Sequence, residues 1–241
     1  MKIYILIVLM LLSISCTTTV SPKIADIPEA SGIAYCLDSD TLVVANDEGW
    51  YYEISREGEI LSKNRAKKYD LEGVVCEKDN YLFAVEDKGI LRVDRKSGKM
   101  KLITIDEKYQ NKKLNIFNKK SGIEGITKVG DLYYLAKQSK KKNESYIVVV
   151  KLEKNKSKIV DIIQHNIVDS AGLDYHNGSL YIVSDKKDQM IQYDIKQKKI
   201  ISKTKLSKFA QEGLTFDNKG FVYIADDNGA VVKYREDELG I

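Results

Sequence analysis

Short blocks of apolar, β-branched and aromatic residues, separated by polar turns, recur along this chain from residue 30 to its end. The most continuous are Leu42-Val43-Val44-Ala45, Tyr81-Leu82-Phe83-Ala84-Val85, Leu132-Tyr133-Tyr134-Leu135-Ala136, Leu180-Tyr181-Ile182-Val183 and Phe221-Val222-Tyr223-Ile224-Ala225. Runs of this length and composition read as strands covered on both faces. Each is preceded by a block built on a glycine, namely Ala30-Ser31-Gly32-Ile33, Leu71-Glu72-Gly73-Val74, Ile123-Glu124-Gly125-Ile126, Ser170-Ala171-Gly172-Leu173 and Gln211-Glu212-Gly213-Leu214. A third strand and a more mixed fourth follow each time, as in Ile90 to Val93 and then Lys99 to Ile105. The glycines stand at 32, 73, 125, 172 and 213, at intervals of 41, 52, 47 and 41 residues. That period suits propeller blades or helical arrays. Helical arrays need apolar positions at i, i+3, i+4 and i+7 over ten or more residues, and almost none follow residue 16. The pattern predicts an all-β fold, a five-bladed β-propeller of four-stranded antiparallel blades.

The last unit stops after its third strand, at Tyr234, while Pro22 to Ile27 stands before the first glycine where a fourth strand would lie. This N-terminal strand is expected to close the ring and cover its open edge. The longest interval carries the insertion Glu107 to Asn118, read as a surface loop or as a small flap over one face. Gln138 to Ser145 reads as a charged hairpin tip.

Residues 1 to 16 stand apart from the repeat. Lys2 followed by the apolar run Ile3 to Leu12 is a charged n-region and an h-region too short for a comfortable membrane span. Ser13-Ile14-Ser15-Cys16 resembles a bacterial lipobox, with Leu12 one place early and Ser13 in the usual aliphatic position. The expected organisation is a lipoprotein-type signal peptide over 1–16, a tether over 17–21 and one propeller domain over 22–241. Acylated Cys16 would hold the chain on a lipid bilayer of the bacterial cell envelope, facing periplasm or exterior. Ordinary secretion, with cleavage near Ser15 or Thr17, is the alternative.

Removing residues 1–15 removes Lys2 and leaves 38 basic against 35 acidic residues, a net charge of +3 that does not point to nucleic acid. The lysines stand singly or in turn runs such as Lys140-Lys141-Lys142, which read as solvated loops; a basic patch on an anionic membrane is the alternative. Cys36 and Cys76 fall four and three residues after their own glycines, so alternation points them to opposite faces and predicts buried small hydrophobes rather than a disulfide. His165 and His176 accompany no Gly-x-Ser-x-Gly elbow and no His-x-x-x-His pair, so neither Ser/His hydrolase nor zinc-peptidase chemistry is supported.

In an antiparallel sheet the start of the first strand and the end of the second share one edge. The glycine phrases start the first strands, and the second strands end in Asn46-Asp47, Glu86-Asp87, Lys137-Gln138, Ser184-Asp185 and Asp226-Asp227. Carboxylates are therefore expected to gather on one face. Glu72, Glu124 and Glu212 hold the same place in three blades and would meet near the axis, where a hard divalent ion such as Ca²⁺ would relieve their repulsion. Ties to backbone amides or a water-filled site would serve equally. Asp47, Asp185 and Asp226 are the candidate ligand-binding residues on that face. Tyr35, Tyr175 and Phe216, each three after its glycine, read as packing between blades.

The ordered phrases Asp70-Leu71-Glu72-Gly73, Ile123-Glu124-Gly125-Ile126, Asp169-Ser170-Ala171-Gly172-Leu173, Gln211-Glu212-Gly213-Leu214 and Gly220 to Asp226 resemble the SdiA-regulated family, itself distantly similar to NHL-repeat propellers. The resemblance covers about residues 22 to 235 and implies a five-bladed propeller with bound calcium and no well-defined biochemical role. It places the metal on Glu72, Glu124 and Glu212; Ser31 and Ala171 stand where further Glu would complete the ring, so carbonyls, water or Asp169 would have to contribute. The expected function is a calcium-binding module for an unknown small-molecule or protein ligand. A metal-dependent lactonase or phytase-like esterase is the alternative, and a purely structural envelope protein the third.

Overall fold

The computed structural model describes residues 22–118, 121–153 and 156–241. The expected signal peptide, the expected tether and Cys16 lie outside the described residues. The strands in chain order are β1 (Lys23–Ala25), β2 (Ala30–Cys36), β3 (Thr41–Asn46), β4 (Trp50–Ser55), β5 (Ile60–Arg65), β6 (Leu71–Cys76), β7 (Asn80–Val85), β8 (Gly89–Asp94) and β9 (Met100–Asp106). A small hairpin, β10 (Lys108–Tyr109) and β11 (Lys112–Lys113), precedes β12 (Ile123–Val129), β13 (Leu132–Lys137), β14 (Tyr146–Leu152) and β15 (Lys156–Ile163). The chain ends with β16 (Ser170–His176), β17 (Ser179–Ser184), β18 (Gln189–Asp194), β19 (Lys199–Lys205), β20 (Gln211–Phe216), β21 (Phe221–Asp226) and β22 (Ala230–Arg235).

The larger sheets are antiparallel runs in the orders β2-β3-β4-β5, β16-β17-β18-β19 and β1-β22-β21-β20, with an eight-stranded sheet, β12-β13-β14-β15-β9-β8-β7-β6. The last is two antiparallel four-strand runs joined through their outer strands, β9 and β15, which pair in parallel from Lys156–Thr104 to Lys158–Asp106. Separate sheets were expected there. The pairing covers two edges that would otherwise stand open.

The innermost strands close a cycle in which β2 packs on β6, β6 on β12, β12 on β16, β16 on β20 and β20 on β2. This is the hub of a β-propeller. The phrase glycines permit the approach: a Cβ on Gly125 would stand 2.2 Å from the Ala171 carbonyl oxygen, and one on Gly213 2.8 Å from the Ile33 nitrogen. Between neighbouring sheets lie the apolar clusters, such as Leu42, Val44, Tyr52 and Ile54 against Tyr223 and Val231. The N-terminal strand closes the circle as expected, β1 pairing with β22 and the Lys233 amide donating to the Pro22 carbonyl at 2.7 Å.

Two expectations are corrected. Cys36 and Cys76 form a disulfide, their Cα atoms 5.3 Å apart. Alternation does put them on opposite faces of equivalent sheets, but in a ring the forward face of one sheet meets the backward face of the next. Residues two and four after one glycine, Ala34 and Cys36, therefore share a cluster with Val74, one after the next glycine, and with Cys76, three after it. Replacing both cysteines by serine is expected to lower the unfolding free energy by about 2–4 kcal/mol. Urea unfolding of the oxidised parent, the reduced parent and the variant checks this, the last two coinciding. The insertion, in turn, is more than a surface loop: Ile116 is fully buried beside Ile105 and Ile123, and its amide donates to Glu107 Oε2 at 3.0 Å.

Candidate functional site

Every innermost strand carries a register irregularity at its phrase, between Ala30 and Gly32, Leu71 and Val74, Ile123 and Gly125, Ser170 and Leu173, and Gln211 and Gly213. A bulge adds a residue to one strand and re-aims a side chain. Here the re-aimed residue is the second of each strand: Ser31, Glu72, Glu124, Ala171 or Glu212. Carboxylate oxygens of Glu72, Glu124 and Glu212 consequently lie within 4.8 Å of one another, although the three residues come from three different inner strands.

The environment of this triad is largely buried and negative. Glu72 and Glu124 are buried and Glu212 is half-buried. Burial, followed by the charges of Glu124, Asp47 and Glu212, pushes Glu72 well above the ordinary carboxylate range. Burial and Glu86 raise Glu124 to about 8, and burial with Glu124 and Asp47 raises Glu212 to about 9. Glu72 Oε2 is buried with no hydrogen-bond partner among the described residues. Ser31 ties two inner strands, its hydroxyl donating to the Leu71 carbonyl at 2.6 Å, and its side chain also interacts with Asp47.

The second-strand acids divide. Asp47 joins Asp70 and Glu72, with ligand oxygens again within 4.8 Å; burial, then Asp70 and Asp227, raises it to about 7. Asp185 is raised by burial and by Asp169 and Asp188, so it belongs to the same negative field without joining either cluster. Asp226 Oδ1 instead accepts the Ala210 and Asn228 amides at 3.1 and 3.0 Å, a loop tie. Asp169 likewise accepts the Lys186 amide at 3.1 Å. Asp70 is the site residue that sequence reasoning missed, although it stands two places before Glu72 in the motif itself. Lys137 is a cation buried at this mouth; its ammonium lies 3.5 Å from the Gln138 and Glu144 carbonyls and over the Tyr146 ring, and burial lowers its pKa against the opposing charges of Glu144 and Glu124.

The far end of the hub is knitted by Asp174, which accepts the Tyr175 and Phe216 amides at 2.7 and 3.0 Å and the Thr215 and Thr127 hydroxyls at 3.0 and 3.2 Å. Phe216 stacks on His176 at 4.3 Å, the Tyr35 hydroxyl donates to Asp40, and Tyr175 packs beside the Leu173 cluster. These three aromatic residues pack, as expected. His165 is buried, its Nδ1 accepting the Ile167 amide at 2.9 Å.

The SdiA-regulated family matches residues 14–230. The chain belongs to the SdiA-regulated family. A search of the curated proteins finds no match. Among solved structures, the glutaminyl cyclase of Myxococcus xanthus is similar with a TM-score of 0.64 and 9% identity, over 88% of this chain and 92% of that one. At that identity the likeness is one of fold. It supports the propeller architecture of this SdiA-regulated chain.

Proposed function

We propose that this chain is a five-bladed β-propeller that binds calcium at its hub and presents the acidic mouth to a small-molecule or protein ligand, without catalysis. Glu72, Glu124 and Glu212 would hold the ion. The observation that carries this reading is the convergence of three carboxylates from three separate inner strands, one with a buried, unpartnered oxygen. All three donors are hard oxygens in irregular geometry, a set that fits Ca²⁺ better than Mg²⁺. The bound ion would supply positive charge where desolvation otherwise holds protons on the acids. The count of five blades rests on five glycine phrases packed in a cycle, with the eight-stranded sheet read as two blades sharing a seam.

The envelope location and the lipid on Cys16 belong to the same proposal. The Cys36–Cys76 disulfide supports it, because such bonds persist in oxidising, extracytoplasmic compartments. Among the described residues, no helix is long and apolar enough to cross a membrane. Elemental analysis of the purified protein should find calcium, and Glu72→Gln, Glu124→Gln and Glu212→Gln should each weaken its retention about tenfold or more. Unchanged calcium content in all three variants would reject the hub site.

One observation favours the hydrolase as a second reading: Asp47, raised to about 7, is a proton acceptor poised near neutrality beside the cluster. That reading requires turnover of a lactone or phosphoester that Asp47→Asn abolishes while the hub calcium stays bound. No turnover across such a panel leaves the binding module.

A further inference from the structure

Five carboxylates at the acidic mouth fall into two groups that share one residue. Glu72, Glu124 and Glu212 form the hub triad; Asp47, Asp70 and Glu72 form another, each group with ligand oxygens within 4.8 Å. Asp47 follows β3 and Asp70 precedes β6, so this second group sits at the junction of the first two sheets, to one side of the axis. Hydrogen bonding relieves it only in part, through Ser31 at Asp47, Glu86 at Asp70 and Glu124 at Glu72. Asp47 Oδ1 and Glu72 Oε2 are both buried without a partner, and Glu72 is only 5% exposed. The Ser31 hydroxyl next to them donates to the Leu71 carbonyl at 2.6 Å and also interacts with Asp47, without reaching either of these two oxygens. Leaving two buried carboxylate oxygens unsatisfied carries a desolvation cost that a cation removes.

The hub triad alone does not account for Asp47 and Asp70. They line an open cavity of about 350 Å³ with Glu48, Arg65, Lys68 and Tyr69. This gives an ion an entry route and leaves coordination positions for water, which Ca²⁺ needs when only three carboxylates reach it. Among the described residues Arg65 and Lys68 form no ion pair with these acids, and the Lys88 charge offsets only part of the burial and repulsion at Asp70.

We propose that Asp47, Asp70 and Glu72 form a second, off-axis site for a hard divalent cation, with the Glu72 carboxylate bridging it to the hub ion. The proposal extends the calcium reading above. Glu72 is thereby the linchpin of both sites, whereas Asp70 serves only the outer one and Glu212 only the inner.

The test is calcium titration of the full, metal-stripped chain by calorimetry, with equilibrium dialysis to count bound ions and near-ultraviolet circular dichroism to confirm folding. The wild type is expected to take up two ions. Asp70→Asn, nearly isosteric and at the open edge, should lose one ion or bind it at least about tenfold more weakly, the loss typical of a removed metal-site partner. Glu212→Gln should lose the other, and Glu72→Gln both. A wild type binding a single ion that Asp70→Asn leaves untouched overturns the outer site and keeps the hub. A single ion abolished by Asp70→Asn but indifferent to Glu212→Gln keeps the outer site and overturns the hub. A folded wild type that binds no calcium overturns both.

Discussion

Stripping calcium from the protein is expected to lower its melting temperature most at alkaline pH. The direction follows from the hub acids. Burial and mutual repulsion raise Asp47 to about 7, Glu124 to about 8 and Glu212 to about 9, above the values these groups have in an unfolded chain. A carboxyl raised on folding contributes stability that is complete below its unfolded pKa and is lost as pH rises through the folded one. Through these acids the metal-free protein should therefore weaken from about pH 4, where unfolded carboxyls titrate, until the last of them has ionised near pH 9. Bound calcium reverses the trend, because it holds the ionised form and must displace the protons to bind. At a calcium concentration about a thousand times the dissociation constant, the gain is about 4 kcal/mol, or about 8–16 °C for a domain of this size. His165 works in the opposite sense. Burial lowers it from 6.5 to about 4, so its contribution is present above about pH 6.5 and is lost as pH falls toward 4. The alkaline window therefore reports the hub. Thermal melts with chelator and with excess calcium at several pH values check this; curves that coincide at about pH 8.5 would show that the hub holds no ion.

The second large effect is expected at the seam where the last sheet meets the first. Arg56, in the turn after β4, is buried and donates through Nε to Asp217 Oδ2 at 2.9 Å, while the Tyr223 hydroxyl reaches the same oxygen at 3.1 Å. The other carboxylate oxygen accepts the Lys219 and Phe221 amides at 2.8 and 3.0 Å. Burial alone would raise Asp217, but these amides, Arg56 and Tyr223 outweigh it and hold the carboxyl below its ordinary value. Lys233 adds a contact from β22 to the Arg56 carbonyl at 3.1 Å. Arg56→Ala removes the counter-charge and leaves Asp217 ionised and buried, at a cost of about 3–5 kcal/mol. Urea unfolding measures it. A loss below about 1 kcal/mol, the range of an exposed pair, would mean that the closing seam is apolar packing alone.

The sequence by itself determined the all-β character, the repeat and the acidic hub. An apolar run alternating with polar turns leaves the backbone few options, and a phrase repeated five times places its second residue at the same point of each inner strand. Glu72, Glu124 and Glu212 could be named for that reason. Only the tertiary structure decided which copies meet. Cys36 and Cys76 lie 40 residues apart, and local alternation states their faces without stating that one sheet's forward face looks at its neighbour's backward one. Asp70 joins Asp47 through the same junction of two sheets. The β9–β15 seam and the burial of Ile116 depend likewise on a neighbour supplied by a distant part of the chain. Periodicity sets the direction of a side chain within its own strand, whereas pairing across sheets is set by how the sheets pack around the axis.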